Sequence, residues 1–324
     1  MSLIDRRTMS LLGLAAMLSP SRALTDDAYP SRPIHLIVGF TPGASSDITG
    51  RLFARGASPI VGQQIVVENK PGAGSSIAAQ YVARAAKDGY TLFVPALSTL
   101  TNEIVNPAPS FDMGKDFAPI AMLATGATVL VVNPEMNVHT VAELIALAKA
   151  KPGQVLFGSV GVGSVPHLAG ELFAQRAGIK LTHVPYQGSP EAVTDLIAGR
   201  INMFFSIASS AIGQIEAGQV VPIAIAANQR AAVLPNVPSM AEAGMPDFDA
   251  SLWFGLLAPA GTPRPAIDKL AAAAHQAMHA PEAVDVLRKQ GFEPLAAGPD
   301  AFGAIIRSEI ARWSEVVHAA GLKS

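Results

Sequence analysis

The chain has 324 residues, with 23 Lys or Arg against 25 Asp or Glu and a formal charge of −2. Only 15% of the residues are charged, below the roughly 25% of an average soluble domain. A near-neutral chain without a basic block argues against a nucleic-acid partner, because that affinity comes largely from Lys and Arg clustered on phosphates. The absence of cysteine excludes disulfides, thiolate catalysis and Cys-ligated zinc. At about 150 residues per domain, the length predicts two domains.

The N-terminus has the features of a signal peptide. Arg6 and Arg7 precede an apolar stretch at residues 9–18, and a small-x-small cleavage motif follows at residues 21–23. We predict cleavage near Ala23 and an exported mature protein, with both the general and the twin-arginine export routes open. Cleavage removes three arginines and one aspartate, which leaves 20 basic residues against 24 acidic ones. No uninterrupted apolar run approaches the ~18 residues that cross a bilayer, so we expect a soluble mature chain.

In the first half of the chain, short β-branched runs alternate with segments of helical spacing. The pattern predicts strands at residues 34–40, 64–68 and 91–95 and helices at residues 45–56 and 75–86. This order is typical of βαβ units with a parallel sheet. After a Pro-containing loop, residues 122–133 predict one long extended segment, and residues 141–150 predict a helix with Thr140 as its N-cap.

The same alternation of strand-like and helix-like segments is repeated in the second half of the chain. It predicts strands at residues 155–158, 181–185, 201–207, 221–226 and 252–258, and helices at residues 164–177, 190–198, 265–278, 281–290 and 302–319. We predict an α/β protein of two domains, each a mainly parallel sheet flanked by helices. Domain 1 would be residues 24–123, domain 2 residues 124–226, and residues 227–324 would return and complete both. Parallel connections of this kind act as a hinge.

Two loops between a strand and a helix carry the candidate chemistry. The first, FTPGASSD at residues 40–47, has Pro42 and Gly43 for a sharp turn, followed by amides at the start of a helix. A helix N-terminus carries unpaired N–H groups and about half a positive charge, so it can bind a carboxylate or phosphate without Lys or Arg. Asp47 in the first turn either caps those amides or bonds a ligand hydroxyl, and a simple N-cap box also stays open.

The second loop, GSVGVGSVPH at residues 158–167, repeats this arrangement. Three glycines remove side chains from the loop, and Ser159 and Ser164 add hydroxyl donors. The sequence therefore predicts a second site for a small anion. The glycine spacing fails the dinucleotide fingerprint because Pro166 stands at its last position, and no P-loop motif occurs, so nucleotide binding has little support.

Enzyme motifs are weak. No G-x-S-x-G elbow occurs, and no Ser-His pair is adjacent in any motif, which disfavours a hydrolase. His275 and His279 have metal-ligand spacing, but a solvated helix face is favoured over a metal site. His167 is interpreted as a structural cap or pocket wall. Trp253 and Phe254 are interpreted as core, with the cleft as the alternative for one ring. We expect no cofactor and no metal.

Six ordered motifs resemble the Bug family, the periplasmic solute receptors of tripartite tricarboxylate transporters. They are FTPGASSD (residues 40–47), ENKPGAG (68–74), DGYTL (88–92), GVGSVPHLAGELF (161–173), HVPYQGSPEAVTDLIAG (183–199) and WFGLLAPAGTP (253–263). The resemblance covers the chain from about residue 28 to the end. It implies a two-domain periplasmic binding protein of type II-like fold that closes on a small carboxylate between its domains and passes it to the membrane subunits of the transporter. We expect a monomer.

Carried over by position, the resemblance assigns ligand contacts to both loops, to a third loop and to one strand end. The first loop would contribute Phe40, Gly43, Ala44, Ser45, Ser46 and Asp47, and the second Ser159, Gly161, Val162, Gly163 and Ser164. The third loop would contribute Tyr186, Gln187 and Gly188, and the strand end Ser206.

Two positions depart from the family pattern. Many relatives have Gly at the position of Ala44, so this loop would approach the ligand less closely. Many also have Asp at the position of Ser206, where it could hold a ligand amine. The predicted ligand is therefore a plain mono- or dicarboxylate, aromatic ones included, rather than an amino acid. A sensor that delivers its ligand to a signalling partner stays open, and an exported hydrolase is the less favoured alternative.

Overall fold

The computed structural model describes residues 29–322. Its strands are β1 (Ile34–Val38), β2 (Ile65–Asn69), β3 (Thr91–Val94), β4 (Phe117–Gly126), β5 (Thr128–Val132), β6 (Leu156–Ser159), β7 (Thr182–Pro185), β8 (Met203–Ile207), β9 (Val221–Ile225), β10 (Leu252–Pro259) and β11 (Phe292–Ala297). Its helices are α1 (Ser45–Val61), α2 (Ser76–Ala83), α3 (Leu97–Val105), α4 (Val141–Ala150), α5 (Val165–Ala177), α6 (Ser189–Ile197), α7 (Ala208–Glu216), α8 (Arg264–Met278), α9 (Pro281–Lys289) and α10 (Pro299–Ala319). The predicted signal peptide and its cleavage site near Ala23 lie outside the described residues.

The strands form two mixed sheets. The first has the order β11-β4-β10-β3-β1-β2, and the second has the order β7-β6-β8-β5-β9. Each contains a parallel trio, β2-β1-β3 in the first and β7-β6-β8 in the second, and the remaining strands pair antiparallel. The predicted α/β fold is confirmed. The parallel pairing is confined to the trios, because the chain leaves the first sheet along β4 and returns beside it along β10.

The chain passes from the first sheet to the second through a single residue, Ala127. Gly126 ends β4 opposite Leu252, and Thr128 begins β5 opposite Ile207, at the carboxyl end of β8. β4 and β3 are both antiparallel to β10, so β4 runs in the same direction as the first trio. The crossing therefore joins the carboxyl edge of one sheet to the carboxyl edge of the other, and the carboxyl ends of the two parallel trios face each other.

Helices cover both faces of the first sheet. α1 and α8 pack together over one face around Leu36 and Phe53, and α3 and α10 pack over the other. α10 also packs against α5, so it joins the two halves of the molecule. Trp253 is 2% exposed and its ring lies edge-on to Phe302, with 5.5 Å between the centroids. Trp253 and its neighbour Phe254 are both buried in the core.

Several elements differ from the sequence-based prediction. The long extended segment predicted at residues 122–133 is two strands in different sheets, interrupted at Ala127. The sequence did not predict α3, α7 or β11. Pro294 is unusual in a strand, which is why the sequence pattern did not predict β11. Proline is compatible with a strand at the sheet edge, since an edge strand need not donate every N–H. Within residues 29–322, no helix is both long and apolar enough to cross a bilayer.

Candidate functional site

The loops at the carboxyl ends of the parallel strands form the candidate site. In open α/β sheets, ligands bind in the crevice outside these strand ends. The first trio contributes the loops at residues 39–44 and 70–75, and the second contributes the loops at residues 160–164 and 186–188. Because the two carboxyl edges face each other, these loops line a cleft between the sheets.

The first loop, residues 39–44, leads from β1 into α1. Gly43 has a φ of +85°, which side chains rarely adopt, so glycine allows the chain to turn here. Ala44 is the N-cap residue, and its methyl group cannot accept a hydrogen bond from the helix. The first-turn amides, including those of Ser45 and Ser46, are therefore available to an anion. Ser46 is 2% exposed, and its hydroxyl has no hydrogen-bond partner among the described residues.

Asp47 holds the first loop in place. Its buried carboxylate accepts hydrogen bonds from Gly43 N–H at 2.9 Å, Arg51 Nε at 2.9 Å and Asn69 Nδ2 at 2.8 Å. Asn69 Nδ2 also donates to the carbonyl of Phe40 at 3.0 Å. Burial acts to raise the pKa of Asp47, but these hydrogen bonds outweigh it and hold the pKa below its ordinary value. The bonds reach both carboxylate oxygens, so Asp47 fixes the position of the loop.

The second loop, residues 160–164, leads from β6 into α5. Ser159 is fully buried, and its hydroxyl lies 2.6 Å from Nε2 of His183 and also bonds to the backbone of Gly161. Ser164 is the N-cap residue of α5, but its hydroxyl donates to the Gly161 carbonyl at 2.7 Å. In the described part of the chain, the start of α5 thus lacks a side-chain cap just as α1 does.

Two stacked histidines support the second loop. His167 is 2% exposed, and its Nδ1 accepts a hydrogen bond from Gly163 N–H at 3.0 Å. That nitrogen is therefore unprotonated, and the other ring nitrogen faces Glu171 Oε1 at 3.6 Å. The ring centroids of His167 and His183 are 3.8 Å apart. Burial, followed by the nearby His167, lowers the pKa of His183 to about 4, so His183 is neutral at pH 7.

The pair Ser159 and His183 corrects one step of the sequence analysis. No Ser-His pair is adjacent in the sequence motifs, yet the fold brings these two side chains within 2.6 Å across 24 positions of the chain. A nucleophile also needs a free oxygen, whereas the hydroxyl of Ser159 donates to the Gly161 carbonyl and accepts from the Gly161 N–H, at 3.1 Å each. The pair therefore shapes the second loop, and its geometry does not provide a free nucleophile.

The second loop contacts the other side of the cleft at α3. Gly163 has a φ of +78°, and a Cβ built on it would lie 3.1 Å from Cγ2 of Val105. A side chain at this position would have to displace Val105 or the loop. Val162, at the tip of the loop, is 59% exposed. A groove of about 450 Å³ lies beside this contact and is lined by Ile77 and Asn102.

A second cavity, of about 470 Å³, lies at the chain crossings. It is lined by Thr125, Gly126 and Ala127 and by Gly291 and Glu293 at the start of β11. β11 is the edge strand furthest from β1 and β2, so this hinge cavity lies on the opposite side of the crossings from the two loops. α1 and α5 begin at these two loops, on the facing carboxyl edges of the sheets, and we therefore place the candidate site there.

A family model described as the tripartite tricarboxylate transporter family receptor matches residues 49–322. The chain belongs to this receptor family. The receptor is also 36% identical to protein BugT of Bordetella pertussis over 320 residues, which cover 98% of each chain. This second likeness extends over the first loop, which precedes the part matched by the family model. The resemblance to the Bug family seen in the sequence is thereby confirmed.

Two solved structures of relatives are similar to the receptor. One is R. palustris Rpa4515 with adipate, which is 33% identical, with a TM-score of 0.73 over 90% of the receptor and 98% of that chain. The other is MatC (Rpa3494) from Rhodopseudomonas palustris with bound malate, which is 30% identical, with a TM-score of 0.71 over 89% of the receptor and 100% of that chain. Both likenesses include both sheets of the receptor.

The third predicted loop supports the second loop of the receptor. Tyr186 donates its N–H to the carbonyl of Ser159 at 3.0 Å and its hydroxyl to Asp195 Oδ2 at 2.9 Å. Gln187 is exposed, and Gly188 is the N-cap residue of α6. Tyr186 therefore stabilises the strand end before the second loop. The side chain of Gln187 is the one in this loop that solvent or a ligand can reach.

Ser206 lies near the carboxyl end of β8. The register of β6 and β8 pairs Gly158 with Phe204, so Ser206 falls beside the start of the second loop. Its side chain is 2% exposed, and its hydroxyl donates to the carbonyl of Ile207 at 3.2 Å. This position of the receptor carries no charge.

Asn69, His183 and the loop at residues 70–75 fall in the quoted motifs or beside them, but they were given no role at the site from the sequence. A signal for that loop was present, since β2 was predicted as a strand and a strand parallel to β1 brings its carboxyl end to the same edge. His183 gave no such signal. Its contact with Ser159 depends on the register of β6 and β7, in which Phe157 pairs with His183.

Proposed function

We propose that this protein is an exported solute receptor that binds a small carboxylate between its two sheets and delivers it to the membrane subunits of a tripartite tricarboxylate-type transporter. Membership of the receptor family supports the role in transport. The relatives with adipate and malate support a carboxylate ligand. The predicted signal peptide supports export to the periplasm. No catalytic step is included in this proposal.

The observation that carries the proposal is a pair of uncapped helix starts on facing edges. α1 begins after Ala44 and α5 begins after Ser164, and in the described chain neither residue's side chain bonds the first-turn amides. Most other α-helices of the described chain also begin without a side-chain cap, so the placement of these two starts on facing edges is what supports the site. A carboxylate between the two starts would accept hydrogen bonds from both and would lie at the positive ends of two helix dipoles.

The binding of an anion here does not require a free cationic side chain. The guanidinium of Arg51, on α1, is bound to Asp47 and to Asn69, and the ammonium group of Lys70, at the start of the loop at residues 70–75, lies 4.0 Å from Glu68 Oε2. The negative charge of the ligand would therefore be balanced by amide and hydroxyl donors. This chemistry reconciles a carboxylate ligand with a chain that has few charged residues and a net negative charge.

Ligand binding would favour closure of the cleft. A ligand shifts the equilibrium toward the closed form only through contacts that it makes to both loops at once. The chain crosses between the sheets at Ala127 and along residues 226–251, and rotation about such crossings is the usual form of hinge closure. The two helix starts would then approach the ligand from opposite sides.

The uncharged environment at Ser206 favours acids without an amino group. A ligand ammonium group needs a nearby carboxylate to offset its desolvation, and the hydroxyl of Ser206 cannot provide one. We therefore propose mono- or dicarboxylates, aromatic ones included, as the ligand class.

We expect plain carboxylates to stabilise the mature protein against heat. A thermal-shift screen with acetate, malate, adipate, citrate and benzoate, followed by calorimetry, tests this. At 100 times the dissociation constant, a bound acid should add roughly 2.7 kcal/mol to the free energy of unfolding. Adipamide, which has the shape of adipate without its charges, is the matched control and should have no effect.

Two results of this screen would contradict the proposal. One is the absence of any response to the carboxylate panel. The other is tight binding of glutamate or aspartate without a response to the acids that lack an amino group, which would show that the site recognises an ammonium group.

A further inference from the structure

Ser75, in the loop between β2 and α2, combines three unfavourable features. Its backbone is left-handed, with φ +77° and ψ +1°, a conformation that a non-glycine residue rarely adopts. Its side chain is 1% exposed. Its hydroxyl has no hydrogen-bond partner among residues 29–322. Glycine at this position would avoid both the backbone strain and the cost of burying a hydroxyl. Serine therefore does not stabilise the fold here better than glycine would.

The position of Ser75 points to the cleft. Its hydroxyl packs against Gly39, the first residue after β1, and a Cβ on that glycine would overlap it. The preceding residue, Gly74, packs against Asn102 of α3, and the second loop contacts the same helix through Gly163. Ser75 therefore lies between the start of the first loop and the helix that the second loop touches.

We propose that Ser75 is a ligand contact of the cleft, with its hydroxyl donating a hydrogen bond to a carboxylate oxygen of the bound acid. This inference rests on the proposed function and adds a residue that the family resemblance does not assign. Hydrogen bonds to a charged acceptor are about twice as strong as neutral ones, so the ligand would satisfy a donor that has no partner among residues 29–322. Ser46, which is likewise buried and unpaired, would provide a second hydroxyl at the same edge.

The proposal predicts that Ser75→Gly separates stability from affinity. Removal of the hydroxyl should weaken carboxylate binding by roughly 10- to 100-fold in calorimetry. The same change relieves the left-handed backbone, so the melting temperature of the unliganded protein should rise by roughly 2–4 °C. Ser75→Ala removes the hydroxyl and keeps the backbone strain, so it should lose as much affinity without the full gain in melting temperature.

Asn137→Gly is the matched control. Asn137 also has a left-handed backbone, with φ +51°, but it follows the short 3-10 helix at Pro134–Met136, away from the cleft loops in the sequence. Its replacement should relieve the same kind of strain without changing the affinity for any acid in the panel.

Three results would overturn the proposal in distinguishable ways. Wild-type affinity in Ser75→Gly would show that the hydroxyl does not contact the ligand. A lower melting temperature together with weaker binding would assign Ser75 a structural role. The absence of binding by the wild-type protein to acetate, malate, adipate, citrate and benzoate would overturn the proposed function, and this inference with it.

Discussion

Gly163→Leu is expected to abolish carboxylate binding while the protein remains folded. A Cβ at this position would lie 3.1 Å from Val105, so a leucine fits only if the second loop and α3 move apart. That movement separates the amides at the start of α5 from the first loop, and a bridging acid loses one of its two sets of donors. The loss of two hydrogen bonds to a charged acceptor corresponds to at least roughly 100-fold in affinity.

Gly178→Leu is the control for backbone strain. Gly178 is the C-cap residue of the same helix, has a φ of +61°, and has no atom within 4 Å of a built Cβ. Both leucines should cost about 1–2 kcal/mol for the left-handed backbone, but only the one at Gly163 meets the other side of the cleft. Calorimetry and thermal shift should therefore separate the two variants. Wild-type affinity in Gly163→Leu would show that the ligand does not bind between these loops.

Asp47→Asn is expected to weaken both the ligand site and the fold. The carboxylate accepts three hydrogen bonds in a buried position, and an amide cannot accept all three because one of its two ends donates. We expect a loss of about 2–3 kcal/mol in the free energy of unfolding by urea, together with weaker carboxylate binding. This differs from the simple capping role that the sequence leaves open, in which the fold would be little affected.

Asp268→Asn provides the matched control, because Asp268 pairs with Arg264 over the same four-residue spacing on a helix. That pair is exposed, with Asp268 53% accessible, and should contribute less than about 1 kcal/mol. An equal loss of stability in the two variants would contradict the role given to Asp47.

The effect of Asp47→Asn should also depend on pH. The folded-state pKa of Asp47 is lower than its ordinary value. Its contribution to stability is therefore complete above about pH 4 and is lost as the pH falls through the folded-state pKa. The difference between the wild-type protein and the variant should shrink below about pH 4.

Local signals in the sequence predicted much of the fold. α4 has the predicted bounds, because Thr140 and Glu143 form a capping box that marks its first turn. The strand, turn and helix around Gly43 were predicted for the same reason, since a β-branched run, a Pro-Gly turn and a helical spacing follow each other. β4 and β5 were read as one segment, because no local signal at Ala127 shows that the chain changes sheets there.

The candidate site was predictable only where it depends on adjacent residues. The glycines and the helix starts of both loops are visible in the sequence, but the absence of a side-chain cap at each start is not. The partners that hold these loops are not, since Asn69 reaches Asp47 from the neighbouring strand and His183 reaches Ser159 through the register of β7 on β6. The contact between Gly163 and Val105 depends on how the two sheets face each other, which no local pattern encodes.

The most direct test of the account is a crystal structure of the protein with the acid that binds most tightly in the screen. We expect a carboxylate in the cleft, with oxygens within about 3 Å of first-turn amides of both α1 and α5. A carboxylate bound to one loop alone, or in the hinge cavity beside Thr125 and Glu293, would contradict it.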